Sequence, residues 1–268
     1  MTTANIITLI GAGVGAGFAS GLLGVGGAFI MTPVQYMVFT SMGIPDDTAI
    51  KLAIGTGLAV VLPTAASGAW RHHRMGVVQW KAALIIGACG LACAYAGANL
   101  AVSLPGETLR IIFGTVVLGS GVRMLVYKPP ETHGEIRTNP WFWVACGVPT
   151  GLISGLTGLG GGVIAVPLMI MLLRFSTHQA VATSLGAVTI TSIGGLVRYI
   201  IGGQSVSGLP PHSIGYLNLQ AWALLAASSI AMAQVGARTA HRLPAHKLRY
   251  IFIGVMFYMG LRMFGVFG

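Results

Sequence analysis

From Ile6 to Thr40 the sequence is an almost unbroken apolar run. As one straight helix it would be about 50 Å long, against a bilayer hydrocarbon core of about 30 Å. Near its middle stands Gly24-Val25-Gly26-Gly27, and the phrase recurs: "GLLGVGGAFIMTP", from Gly21 to Pro33, is matched by "GLTGLGGGVIAVP", from Gly155 to Pro167, inside a second run from Trp141 to Leu173. A glycine-broken run of this length predicts a chain that folds back, as a helical hairpin or re-entrant pair with the glycines at its tip.

The match extends beyond the phrase. Gly17 to Val34 and Gly151 to Leu168 are identical at nine of eighteen positions, including Ser20/Ser154, Gly24/Gly158, Gly26/Gly160, Gly27/Gly161 and Pro33/Pro167. Thr56, Thr64, Gly68 and Arg71 align with Thr183, Thr191, Gly195 and Arg198, and Arg123-Met124 with Arg262-Met263. The chain reads as one membrane domain, 1–268, made by duplication: a first repeat 1–127, a cytoplasmic linker 128–139 and a second repeat 140–268. After each broken run come three expected spanning helices, near Leu52 to Trp70, Ala82 to Val102 and Leu109 to Tyr127, then Ala180 to Ile201, Leu219 to Ala240 and Leu248 to Phe267.

Composition agrees with a membrane setting: 54% of residues are hydrophobic, 7% are charged and mean hydropathy is +0.82, whereas soluble domains carry roughly 25% charged residues. The net charge of +10 falls mainly at helix ends, where it orients the protein or meets lipid head groups. Nucleic acid is therefore not an expected partner; the lipid bilayer is. The N-terminus lacks a basic leader and a cleavage motif, so it is expected to stay as a first membrane segment. Cys89, Cys93 and Cys146 form no metal-ligand spacing, and no metal or cofactor is implied.

Charge also predicts orientation by the positive-inside rule. The loop "RHHRMGVVQWK" of the first half is basic, while its counterpart "GGQSVSGLPPHSIGYLN" is uncharged; in the next loop the bias reverses, "SLPGETLR" against "RTAHRLPAHKLR". Equivalent loops thus prefer opposite sides, which predicts inverted repeats. This reading places Arg71, Arg74, Lys81, Arg123, Lys128, Arg137, Arg174, Arg238, Arg242, Lys247 and Arg249 in the cytoplasm, with Asp46, Asp47, Lys51, Arg110, Arg198 and Arg262 outside. It sets the N-terminus outside and the C-terminus on the opposite side. The expected fold is an all-α polytopic membrane protein of two inverted repeats, each a hairpin or re-entrant pair followed by three transmembrane helices.

Non-helical backbone deep in a membrane is tolerated where it is buried in protein or lines a cavity, and broken helices meeting at a repeat axis mark transporter sites. The arms after the tips begin helices whose free N–H groups and positive dipole end favour an anion. The plainer alternative is that the glycines only let helices pack closely. "GFASGLLGVGGAFIMTP", its copy "GLISGLTGLGGGVIAVP", "GTGL" at Gly55 to Leu58 and "ATSL" at Ala182 to Leu185 together resemble the sulfite exporter TauE/SafE family of membrane permeases. The resemblance implies a multi-pass protein of a bacterial cytoplasmic membrane that moves sulfite, thiosulfate, an organosulfonate or a related small sulfur anion.

Expected substrate-binding residues are Ser20, Gly24, Gly26, Gly27 and Thr56 of the first repeat with Ser154, Gly158, Gly160, Gly161, Thr183 and Ser184 of the second. Thr64, Thr191 and Ser192 supply further hydroxyls. Each hydroxyl has the competing role of bonding the carbonyl of the preceding turn. Arg71 and Arg198 are expected to attract the anion at the two mouths or to snorkel at the interface. Trp80, Trp141, Trp143 and Trp222 read as interfacial belt.

All five acids are expected in loops, so no carboxylate is placed to carry a proton at the midplane, and the membrane potential suffices to expel an anion. The expected activity is potential-driven efflux by alternating access. Alternatives are a proton- or sodium-coupled importer, a channel, or, in another class, an intramembrane sulfur-transfer enzyme using Cys89 and Cys93. No catalytic constellation supports an enzyme.

Overall fold

The computed structural model describes residues 1–126, 137, 139–240 and 245–266, with side chains omitted at 245–249 and 251. The linker acids Glu131 and Glu135, and Lys128, Arg242 and the side chains of Lys247 and Arg249, lie outside this set. Ten helices are described: α1 (Thr3–Leu23), α2 (Ala28–Ser41), α3 (Asp46–His73), α4 (Trp80–Ser103), α5 (Gly106–Val126), α6 (Pro140–Thr157), α7 (Gly162–Leu173), α8 (Thr177–Gly203), α9 (Leu219–Thr239) and α10 (Ala245–Met263). Six of these, α1, α3, α4, α5, α8 and α9, are long and apolar enough to cross a membrane. Each broken run is two helices joined by a glycine tip, as its length requires: α1 and α2 in the first half, α6 and α7 in the second.

Sequence sets the boundaries locally. Thr2 caps α1, accepting from Asn5 N, and Gly24 ends it in the left-handed region at φ 72°. A capping box of Ser176 and Gln179 starts α8. Between α8 and α9, a minimal hairpin of β1 (Ser213–Ile214) and β2 (Leu217–Asn218) stands where the sequence suggested only an uncharged loop. Its Tyr216 is buried beside Tyr199 of α8, with ring centroids 6.3 Å apart.

The halves are interlaced. A Cβ placed on Gly13, Gly17 or Gly21 of α1 would strike Leu225, Ser229 or Ala233 of α9; one placed on Gly147, Gly151 or Gly155 of α6 would strike Ile86, Gly90 or Ala94 of α4. The first helix of each half therefore seats on the fourth helix of the other, through glycines that bring the backbones together as in small-residue membrane interfaces. The numbering of these contacts also fixes direction. α1 runs parallel to α9, and α6 to α4, because partner numbers rise together. α3 and α8 run antiparallel, with Gly195 at Leu58 and Gly68 at Leu185. α5 and α10 do the same, with Gly121 at Phe257 and Gly114 at Phe264.

Three expectations are corrected. Asp46, Asp47 and Glu107 lie in the first turns of α3 and α5, not in loops, where carboxylates favour the positive helix end; Asp47 Oδ1 accepts from Gly106 N at 2.6 Å and its Oδ2 pairs with Lys51 at 2.9 Å. Trp143 is buried rather than at an interface, whereas Trp222 is exposed near the start of α9, with its Nε1 donating to Ala59 O at 3.0 Å. Finally, the starts of α1, α3 and α5 and the end of α10 fall at one end of the molecule: Gly106 touches Asp47, and Arg110 Nε donates to Met263 O. The ends of the described chain are thus on the same side, not opposite sides. Counting each hairpin as two arms gives an even total of ten, which returns the chain to where it began.

Candidate functional site

The two glycine tips meet at the centre of the helix assembly. Gly24, Gly26 and Gly27 have φ of 72°, 80° and 75°, and Gly158, Gly160 and Gly161 have 71°, 72° and 81°. Any other residue would strain this left-handed backbone by about 1–2 kcal/mol each. A Cβ on Gly162 would fall 2.7 Å from Val25 Cα, and one on Gly26 would lie 3.3 Å from Leu159 O, so the tips are in contact. Both also touch Val61 and Val188, near the midpoints of α3 and α8.

Behind each tip the chain turns back on its own first arm. A Cβ on Gly27 would meet Ala16 C at 2.9 Å, and one on Gly161 would meet Thr150 O at 2.8 Å. The tips thus aim the N-termini of α2 and α7 at the centre from two sides. Neither N-cap, Gly27 or Gly161, offers a side chain to the first N–H groups, which a helix itself leaves without partners.

Ser20 and Ser154 stand one turn before the tips. Both are fully buried and neither Oγ has a partner, and the same holds for Thr150 Oγ1. Their backbone carbonyls accept from Gly24 N at 2.9 Å and Gly158 N at 2.8 Å, which fixes the hydroxyls beside the tips. Ser184 Oγ lies 3.0 Å from Gly24 O and 2.8 Å from Val181 O, sharing one proton between tip and helix. His72, buried, places Nε2 3.1 Å from Gly21 O.

The remaining expected residues are placed elsewhere. Thr56 Oγ1 accepts from Asn218 N at 3.0 Å and Thr183 Oγ1 from Gln79 N at 3.1 Å. Each pins the residue that starts the fourth helix of the opposite half. Thr64 bonds Ser229 at 2.7 Å, and Ser192 donates to Val188 O at 2.8 Å. Thr191 is buried with its hydroxyl unpartnered, against Gly90. Arg71, half-buried in the last turn of α3, has an unpartnered Nε, whereas Arg198 Nε donates to Asn99 Oδ1 at 2.8 Å. Because α3 and α8 are antiparallel, these two arginines lie toward opposite ends.

Sequence reasoning missed Thr32 and Gln35 of α2, both fully buried with no partner for Thr32 Oγ1, Gln35 Nε2 or Gln35 Oε1. The available signal was a carboxamide standing alone in an apolar arm. It also passed over Arg110, which joins Arg262 and Tyr36 around a cavity of about 160 Å³ at the end of the hairpin. Arg110 lies 5.1 Å from the Tyr36 ring centroid, and Tyr36 donates to Asp46 at 3.0 Å. Cys89 belongs to the α4–α6 seam, against Gly147. Among the described residues, no group of three His, Cys, Asp or Glu side chains is placed to hold a metal.

The profile of the sulfite exporter TauE/SafE family matches residues 9–263. A "Probable membrane transporter protein" of Methanocaldococcus jannaschii is 30% identical over 248 residues, 92% of this chain and 91% of its own. Another of that description from Haemophilus influenzae is 25% identical, over 93% and 94%. A third, YunE of Bacillus subtilis, is 28% identical over 75% and 80%. No solved structure matches the chain. With the duplicated glycine tips and nearly the whole length accounted for, the chain belongs to the sulfite exporter TauE/SafE family.

Proposed function

We propose that this membrane transporter carries a small sulfur-containing oxyanion out of the cell, driven by the membrane potential, with the anion held between the paired hairpin tips. The observation that carries the proposal is the meeting of two uncapped helix N-termini at the middle of α3 and α8, each flanked by a buried hydroxyl without a partner. Positive helix ends and free N–H groups bind oxyanions without a full positive charge, which suits a site that must also release its cargo. Ser20 and Ser154 supply the neutral donors. Thr56, Thr183 and Ser184 hold the frame, the first two through loop amides and the third through Gly24 O.

The antiparallel course of α3 and α8, and of α5 and α10, supports inverted repeats. In that arrangement the two halves exchange conformations to open the site first to one side and then to the other. Val61 and Val188, packed on Gly160, close the centre in the described state. Arg71 and Arg198 act at the two mouths. A bacterial cytoplasmic membrane is the proposed location, with the end bearing Asp46, Asp47 and Arg110 facing outward. There, a potential of 100 mV supplies about 2.3 kcal/mol per charge, roughly a 50-fold concentration ratio, with no coupled ion.

Proteoliposome flux tests this. Saturable uptake of sulfite, thiosulfate or a short sulfonate into vesicles made positive inside, lost in Gly26→Leu and Gly160→Leu, is the expected result. Flux that ignores voltage but follows an imposed proton or sodium gradient would replace efflux with coupled import.

A further inference from the structure

Gln35 and Thr32 are the polar side chains of α2 that the tip site does not use. Their carboxamide and hydroxyl are buried without partners, although a buried polar group left unbonded weakens a fold. Opposite them α3 carries Gly57: a Cβ there would lie 3.0 Å from Thr32 Oγ1 and 3.8 Å from Gln35 Nε2. The second repeat has none of this. By the alignment that pairs the tips, Val166 and Met169 stand at the positions of Thr32 and Gln35, and by the one that pairs Thr56 with Thr183, Ser184 stands at that of Gly57. One repeat is therefore apolar on this arm, while the other combines a carboxamide and a hydroxyl with a missing side chain. These side chains lie close to the tips. Gly57 is one turn of α3, about 5–6 Å, from Val61, which touches both tips, and Thr32 is one turn into α2 from its N-terminus.

The atoms left bare define what ligand they would take. The Gln35 amide has two N–H donors and one carbonyl acceptor, and the Thr32 hydroxyl donates and accepts. An oxyanion without hydrogens can take the N–H and O–H donors but leaves Gln35 Oε1 bare. An oxyanion group that comes with its own N–H or O–H satisfies both ends. We infer that Gln35 and Thr32 form a second, one-sided subsite next to the tips, which selects an oxyanion group accompanied by a hydrogen-bond donor: a hydrogen-bearing inorganic monoanion, a hydroxy-substituted sulfonate or a zwitterionic amino-substituted sulfonate. The inference rests on the anion reading of the tips. It adds that the site is asymmetric, with the tips holding the charge and the first repeat reading the donor.

Binding and transport test it separately, using purified full-length protein. Ligand-induced thermal shifts are measured with 2-aminoethanesulfonate, 2-hydroxyethanesulfonate and ethanesulfonate, and with sulfite in mildly acidic and mildly alkaline buffer, which alters its hydrogensulfite fraction. Wild type is expected to bind a donor-bearing probe about tenfold or more tightly than its donor-free analogue, since a site built for a donor rejects the analogue lacking it. The sulfonate and sulfite arms identify which source supplies it. Gln35→Met and Thr32→Val, the residues of the other repeat, should reduce that preference to within about twofold while the ligand-free protein melts no lower than wild type, because an unbonded polar group has been removed. Equal binding of donor-bearing and donor-free probes by wild type, or an unchanged preference in both variants, overturns the subsite. Flux measured on the same preparations decides the transport reading independently: donor-selective binding without saturable flux would overturn efflux and leave the subsite standing.

Discussion

Ser20 and Thr56 both bury a hydroxyl in an apolar helix, yet their surroundings differ in a way that mutation can read. Thr56 Oγ1 is the partner of Asn218 N, so Thr56→Val would leave a buried amide bare; Thr183→Val does the same to Gln79 N. Each should cost about 1–3 kcal/mol, seen as a lower melting temperature in detergent, with little change in the half-saturation concentration of the protein that remains folded. Ser20 Oγ and Ser154 Oγ have no protein partner to lose. Ser20→Ala and Ser154→Ala should therefore leave the melting temperature within the equivalent of about 0.5 kcal/mol of wild type while raising half-saturation for the anion about tenfold. If instead Ser154→Ala melts early and transports normally, its hydroxyl serves the fold.

At the scale of elements, the glycine seams decide what the helices tolerate. A Cβ on Gly155 would fall on the Ala94 carbonyl, whereas one on Gly11 meets nothing within 4 Å. Gly155→Val should force α6 off α4, costing about 1–3 kcal/mol or more, and reduce the yield of monodisperse protein. Gly11→Ala should change stability by no more than about 1 kcal/mol. The hairpins were legible in the sequence because an overlong apolar run must break, and the same break appears twice. The β1–β2 hairpin was not, since strands of two residues leave no periodic trace. Thr56 and Thr183 read as ligand candidates from their repeated hydroxyls and motif, and the sequence could not show their hydrogen-bond partners, which lie 162 and 104 residues away along the chain. Gln35 was passed over for a related reason: one amide in an apolar arm gains meaning only from being buried without a partner beside Thr32 and Gly57, which the sequence alone does not bring together.

For the whole molecule, the even count of ten helices among the described residues gives a direct test. In a cysteine-free background, cysteines introduced at Thr2 and at Val266 should react with an impermeant reagent from the same face of the membrane, and one at Arg74 from the opposite face. Labelling of Thr2 and Val266 from opposite faces would contradict the packing of α5 on α10. Interlacing of the halves matters before transport begins. The glycine face of α1 fits α9, and Leu219, where α9 starts, is 196 residues beyond Leu23, where α1 ends (219 − 23). During synthesis α1 must therefore enter the bilayer with its small-residue stripe facing lipid and wait there until the ninth helix is inserted. α4 waits less, for α6. A first repeat expressed alone has no α9 to complete it and should be degraded, whereas two repeats translated as separate chains should find each other and restore flux, making each half a folding template for the other.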